Sequence, residues 1–75
     1  MSELTFGQRA VGLQFNPSND DQVAKVKQIF ADAIDQLHEL RSTTESQEVR
    51  RLSSVAITET QGAQMWAVKA ITWKD

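Results

Sequence analysis

Residues 20–41 read DDQVAKVKQIFADAIDQLHELR, and the spacing of their apolar side chains sets the architecture of the chain. Val23, Val26, Phe30, Ala33, Leu37 and Leu40 recur at intervals of three and four, the seam of a helix packed in an antiparallel or coiled-coil-like pair. Ile29 and Ile34 widen that stripe. Asn19 or Asp20 supplies an N-cap, and Asp20 and Asp21 place carboxylates in the first turn, where the helix dipole favours them. The far face, with Lys25, Gln28, Asp32, Asp35, Gln36 and Glu39, is expected to be solvated.

Beyond Arg41 the polar run Ser42 to Ser46 ends this helix, and Ser42 with Glu45, or Thr44 with Gln47, has capping-box spacing. A second helix over 45–73 follows. The expected fold is all-α: one domain over 1–75, an antiparallel helical hairpin of helices 20–41 and 45–73 with a short N-terminal helix or arm at 1–19. On the second helix Leu52, Ala56, Ala63, Ala67 and Ala70 share a narrow arc, flanked by Val49, Trp66 and Ile71 and interrupted by Glu59 and Thr60. Gly62, mid-helix, costs roughly 1 kcal/mol relative to alanine; it reads equally as room for a neighbour or as tolerance. At the helical rise the two helices span roughly 30 and 40 Å, so about two turns of the second overhang.

That overhang is Met65 to Asp75, where Met65, Trp66, Ala67, Val68, Ala70, Ile71 and Trp73 make a helix apolar on nearly every side. Such a helix must be covered all round, and a 75-residue chain has little with which to cover it. Self-association follows as an expectation, with the aromatic end in the interface. The segment 1–19 holds two of the three glycines and the only proline. A short turn is expected after Ser2, and Val11, Leu13 and Phe15 alternate as in an extended strand, with Pro17 biasing Asn16 away from the helical region. An irregular arm that buries Leu4, Phe6, Val11, Leu13 and Phe15 on the helical body or on a neighbouring subunit would interlock the assembly.

Composition narrows the function classes. With 40% hydrophobic and 24% charged residues the chain is of the globular type and not the disordered one. A net charge of -2 leaves no broad basic field for DNA and no polybasic membrane tether. No segment is long and apolar enough to span a bilayer, and no signal-peptide or lipidation pattern is visible, so a soluble, cytoplasmic protein is expected. With no cysteine, neither disulfides nor thiolate metal sites supplement a small core. Oligomerisation is the remaining supplement.

Enzymatic chemistry has little to work with. The single histidine, His38, reads as a lone surface residue, and Asp35 and Glu39 beside it make no metal site without a complementary cluster elsewhere. Asp32 and Asp35 read as a solvated face, and Gly7 and Gly12 lack the sequence of a phosphate-cradling loop. No catalysis, metal or cofactor is expected. Binding is better provided for, since Phe15 in Phe15-Asn16-Pro17 stands near Lys25, Lys27 and Arg9. An aromatic face with cations is the minimal kit for a nucleotide, although an arm anchor beside solvated lysines has the same composition.

The arrangement Gly12-Leu13-Gln14-Phe15-Asn16-Pro17-Ser18, Val23 to Lys27, Ala31 to Asp35, Ile57-Thr58-Glu59 and Gln64-Met65-Trp66-Ala67-Val68-Lys69-Ala70-Ile71-Thr72-Trp73 resembles the small phage anti-CBASS proteins that sponge up cyclic oligonucleotides. The resemblance covers most of the chain. It implies a helical hairpin with a short N-terminal helix, assembled as interlocked homo-oligomers, typically hexamers, in the cytoplasm of the infected bacterium. It also implies sequestration without cleavage of cyclic dinucleotides, and in some members cyclic trinucleotides, which blocks activation of the CBASS effector. A related sponge family with the same hairpin takes cyclic ADP-ribose isomers of the Thoeris defence.

By this resemblance the base-stacking aromatic before the proline falls on Phe15, here without the hydroxyl of the more usual tyrosine, and Asn16 adjoins it. The phosphate-facing lysine falls on Lys27 or on Lys25. Lys69 and Thr72, three apart on the last helix, match the basic residue and threonine of members that hold a trinucleotide. A rival reading from another class uses the same chain as a small interaction module that binds a phage or host polypeptide through its tryptophan-bearing helix.

Overall fold

The computed structural model describes residues 3–75 and contains three helices, α1 Phe6–Ala10, α2 Asp21–Thr43 and α3 Gln47–Thr72. Ser2, after which a turn is expected, lies outside the described residues. Helix α1 opens on a capping box: the Gln8 amide donates to Thr5 Oγ1 at 3.0 Å and the Thr5 amide donates to Gln8 Oε1 at 2.9 Å. The extended reading of 11–15 is corrected. Val11 caps α1, Gly12 takes φ 62°, and the Leu13 amide turns back to donate to the Gln8 carbonyl at 2.9 Å. A glycine at positive φ lets the chain reverse within a few residues, which the period-two pattern could not reveal.

Asp20 caps α2 by accepting from the Gln22 amide at 2.8 Å, and the helix continues to Thr43. Neither expected capping box starts α3; its cap is Ser46, whose Oγ accepts from the Val49 amide at 3.1 Å. The two long helices form the expected antiparallel hairpin. The chain is a slab of 46 × 34 × 13 Å, close to one helix diameter thick, so each helix can be covered on its edges but hardly on its faces.

Val11, Ala31, Ile34 and Ile57 form the buried centre, with Phe6, Ala10, Leu13, Phe30 and Leu37 packed around it. The buried line of α2 is Val23, Lys27, Ala31 and Ile34, so the expected seam is rotated by about one residue: Val26, Phe30 and Leu37 are half-buried, and Ala33 and Leu40 are exposed. The rotation comes from α1, which lies on α2 so closely at Gly7 that a β-carbon there would stand 2.1 Å from the Ala31 carbonyl oxygen. The Gly7 amide also donates to Asp35 Oδ1 at 2.6 Å, so Asp35 belongs to this contact and not to a solvated face.

On α3 the correction is larger. Its buried residues are Ser53, Ile57 and Gln64, whereas Leu52, Ala63 and Ala70 of the expected arc are exposed. Leu52, Val55, Trp66 and Trp73 line the side roughly opposite the buried one, exposed together. Glu59 is exposed on that side, and Thr60 satisfies itself by donating to the Ala56 carbonyl at 2.6 Å. Nor does α3 overhang by two turns. It is three residues longer than α2, about 4 to 5 Å, and its last turn lies beside the segment 15–20. Among the described residues, no helix is long and apolar enough to cross a membrane.

Candidate functional site

The segment between α1 and α2 is tied down by its own side chains. The Phe15 amide donates to the Gly12 carbonyl at 2.9 Å, and Asn16 Nδ2 donates to the Asp20 carbonyl at 3.1 Å. Ser18 Oγ donates to Asn16 Oδ1 at 2.8 Å, and Asn19 adopts φ 54°, a left-handed conformation that asparagine tolerates better than most residues. Lys27 reaches this segment from α2: although it is only 5% exposed, its ammonium is satisfied by donating to the Gly12 carbonyl at 2.9 Å and to the Phe15 carbonyl. Burial of a charge is tolerable only with such partners.

The result is a presented ring. Phe15 is 72% exposed, and the Lys27 ammonium stands 5.6 Å from its centroid, within cation–π range. Beside them opens a cavity of about 220 Å³ lined by Phe15, Asn16, Pro17, Ser18, Val23, Lys27, Val68 and Thr72. Four of the six residues singled out from the sequence therefore meet: Phe15, Asn16, Lys27 and Thr72. Of the two lysines near Phe15 in sequence, Lys27 borders the cavity, while Lys25 is exposed and does not.

Lys69 and Thr72 are separated by the fold. Thr72 lines the Phe15 cavity, while Lys69 lines a different surface hollow with Met65 and Trp66. There its ammonium lies 5.4 Å from the Trp66 ring and 5.7 Å from the Trp73 ring. Residues three apart diverge by about 60° round a helix, enough at a slab edge to face different neighbours. Val23 and Val68 form the apolar walls of the Phe15 cavity and were not marked by the sequence, because valines at helical spacing look like core.

His38 is not a lone surface residue. It is half-buried and stacks on Phe6, with ring centroids 4.1 Å apart and an interplanar angle of 7°. Its Nδ1 accepts from an Arg41 guanidinium nitrogen at 3.0 Å, since arginine has no acceptor, and Arg41 also donates to Ser54 Oγ at 3.1 Å. This cluster fastens α1 to both long helices. Among the described residues, no group of three His, Cys, Asp or Glu side chains is placed to hold a metal ion.

Residues 8–72 match the family model described as the Acb2/Tad1 hairpin domain. The match begins in α1 and ends on the last residue of α3, taking in the whole cavity. No curated protein and no solved structure matches the chain significantly.

Proposed function

Because this chain belongs to the Acb2/Tad1 hairpin-domain family, the anti-CBASS and anti-Thoeris sponges, we propose that it is a phage anti-defence protein that sequesters cyclic oligonucleotide messengers without cleaving them. Cyclic dinucleotides are its first ligands and cyclic trinucleotides its second, and their removal in the cytoplasm of the infected bacterium keeps the CBASS effector inactive. The observation that carries this reading is the convergence of Phe15, Asn16, Lys27 and Thr72 on one apolar-walled cavity. A base stacks on the exposed ring, and the Lys27 ammonium adds positive charge beside it for a phosphate.

One chain offers only part of the site. A volume of about 220 Å³ falls short of the ~300–1,000 Å³ of sites that enclose a small ligand. A stoichiometric trap also needs tight binding: nanomolar affinity is about -12 kcal/mol, while one stacked base contributes about 1 to 3 kcal/mol. A pocket shared by two copies uses each residue twice, which suits a ligand with near two-fold symmetry. The proposed assembly is a homo-oligomer, a hexamer by family likeness, and Lys69 serves a second, inter-chain site for the trinucleotide.

Calorimetric titration with cyclic dinucleotides, cyclic trinucleotides and cyclic ADP-ribose isomers tests the proposal. Phe15→Ala is expected to weaken cyclic dinucleotide binding at least about tenfold without altering oligomer mass, the loss of a stacking ring. Recovery of intact ligand after heat denaturation of the complex tests whether cleavage is absent. The exposure of Trp66, at 71%, favours one rival, an interaction module that docks a phage or host polypeptide on α3. In that case the screen shows no nucleotide binding, and the free protein is monomeric or dimeric with solvent-exposed tryptophans.

A further inference from the structure

Next to the Phe15 cavity lies a second chamber of about 190 Å³, bounded by Ser18, Asp20, Ile71, Thr72, Trp73 and Lys74. The two share Ser18 and Thr72 as a common wall. Their chemistry differs. The hydroxyl hydrogen of Ser18 is given to Asn16 Oδ1 at 2.8 Å, and that of Thr72 to the Val68 carbonyl at 2.8 Å. A hydroxyl has one hydrogen and two lone pairs; Ser18 Oγ already accepts from the Asp20 amide at 3.3 Å and keeps one lone pair for a newcomer, which Thr72 also meets as an acceptor. Asp20 accepts from the Gln22 amide through Oδ1 and keeps further lone pairs on its carboxylate. The Trp73 indole N–H is already donated to Asp75 Oδ1 at 3.2 Å. The cation of the chamber is Lys74, and among the described residues the only ion pair is Arg51 with Glu48, far along the chain.

A chamber with three acceptors and one cation suits a group that donates hydrogen bonds while carrying a negative charge beside it. Bare phosphate oxygens meet acceptors unfavourably, and an apolar group leaves Lys74 and Asp20 unmatched. A ribose with a free hydroxyl and an attached phosphate fits both demands. We infer that this chamber is the ribose site of the trap, with Asp20 and Thr72 accepting from the free hydroxyl and Lys74 pairing with the phosphate. The inference rests on the proposed sequestering function: the chamber adjoins the Phe15 cavity along Ser18 and Thr72, which sets a place for a sugar next to a base on Phe15. Its consequence is selectivity for ribonucleotide rings over deoxyribonucleotide rings.

The test titrates the full-length protein with 3′,3′-cyclic GMP-AMP and with the same ring lacking both free 2′-hydroxyls. The deoxy ring is expected to bind about tenfold more weakly, the loss of a hydrogen bond to a charged acceptor. In Thr72→Val, and in Asp20→Asn, which preserves a good helix cap, the ribose ring should weaken toward the deoxy ring, leaving about threefold or less between them. Equal affinities in the unaltered protein, or an undiminished gap in both variants, would overturn the ribose site while leaving the trap intact. Failure of both rings to bind would instead overturn the trap for this ligand class, and the ribose site with it.

Discussion

At the scale of single residues, three glycines of one composition have three different meanings. Gly7 admits the Ala31 carbonyl where a β-carbon would stand 2.1 Å away, and Gly12 turns the chain at φ 62°. Gly62 has nothing within 4 Å of its notional β-carbon, so within the chain it is tolerance and not a neighbour's seat. Gly7→Ala is accordingly expected to cost about 2 to 3 kcal/mol as backbone overpacking, and Gly62→Ala to gain about 0.5 to 1 kcal/mol. Thermal melts at one fixed protein concentration would check both; equal shifts would show that the α1–α2 contact is softer than described. Lys27 is the other decisive residue, because its ammonium fastens the Gly12 and Phe15 carbonyls before any ligand arrives. Lys27→Met keeps the apolar stem, yet in the ligand-free protein it should speed amide hydrogen exchange at Phe15 about tenfold, the worth of one charge-assisted bond.

At the scale of elements, helix ends are set by side chains that propensity alone does not choose. Ser46 rather than Ser42 or Thr44 caps α3, because Thr44 accepts from the Ser46 amide through its hydroxyl and from Arg50 Nη1 through its carbonyl at 2.7 Å. Glu48 then sits in the first turn and is paired with Arg51 at 2.6 Å. That hydrogen bond holds the Glu48 carboxyl below its ordinary 4.5, with slight burial opposing it, and the Arg51 guanidinium is raised in turn. A carboxyl whose folded value is depressed stabilises the fold above its unfolded value, and the contribution disappears as pH falls through the folded one. Glu48→Gln should therefore leave stability nearly unchanged at acid pH and lower it slightly at neutral pH, an effect reduced by salt since both groups are exposed. Denaturant melts between pH 3 and pH 7 at two salt concentrations would register it; a larger loss in acid would contradict the pairing.

At the scale of the whole molecule, a slab 13 Å thick leaves its larger side chains uncovered. Ile29, Leu40, Leu52, Val55, Met65, Trp66 and Trp73 are exposed, while Lys27, Ser53 and Gln64 are buried. Beside the apolar centre of Val11, Ala31, Ile34 and Ile57, these exposed apolar side chains are the faces that the proposed assembly with other copies would cover. Light scattering at micromolar concentration should report a species several times the 8.4 kDa subunit, and Trp66→Glu should shift it to smaller mass with tryptophan emission moving to longer wavelength. A monomer with unchanged emission would end the two-copy pocket.

The hairpin was legible in the sequence because apolar spacing and the polar run at Ser42 to Ser46 depend only on local order along the chain. Phe15 and Asn16 could be marked as candidates, which the fold sets at the edge of the cavity, because Pro17 and the motif around it sit in one short segment. Which residues of each helix face inward was decided only by the tertiary structure, where the bare Gly7 backbone pressing on Ala31 rotates the buried line and brings Lys27 under the arm. The same packing divides Lys69 from Thr72 and joins Thr72 to Phe15. The physical reason is that periodicity fixes the spacing of a face, whereas its direction depends on contacts between residues distant in sequence.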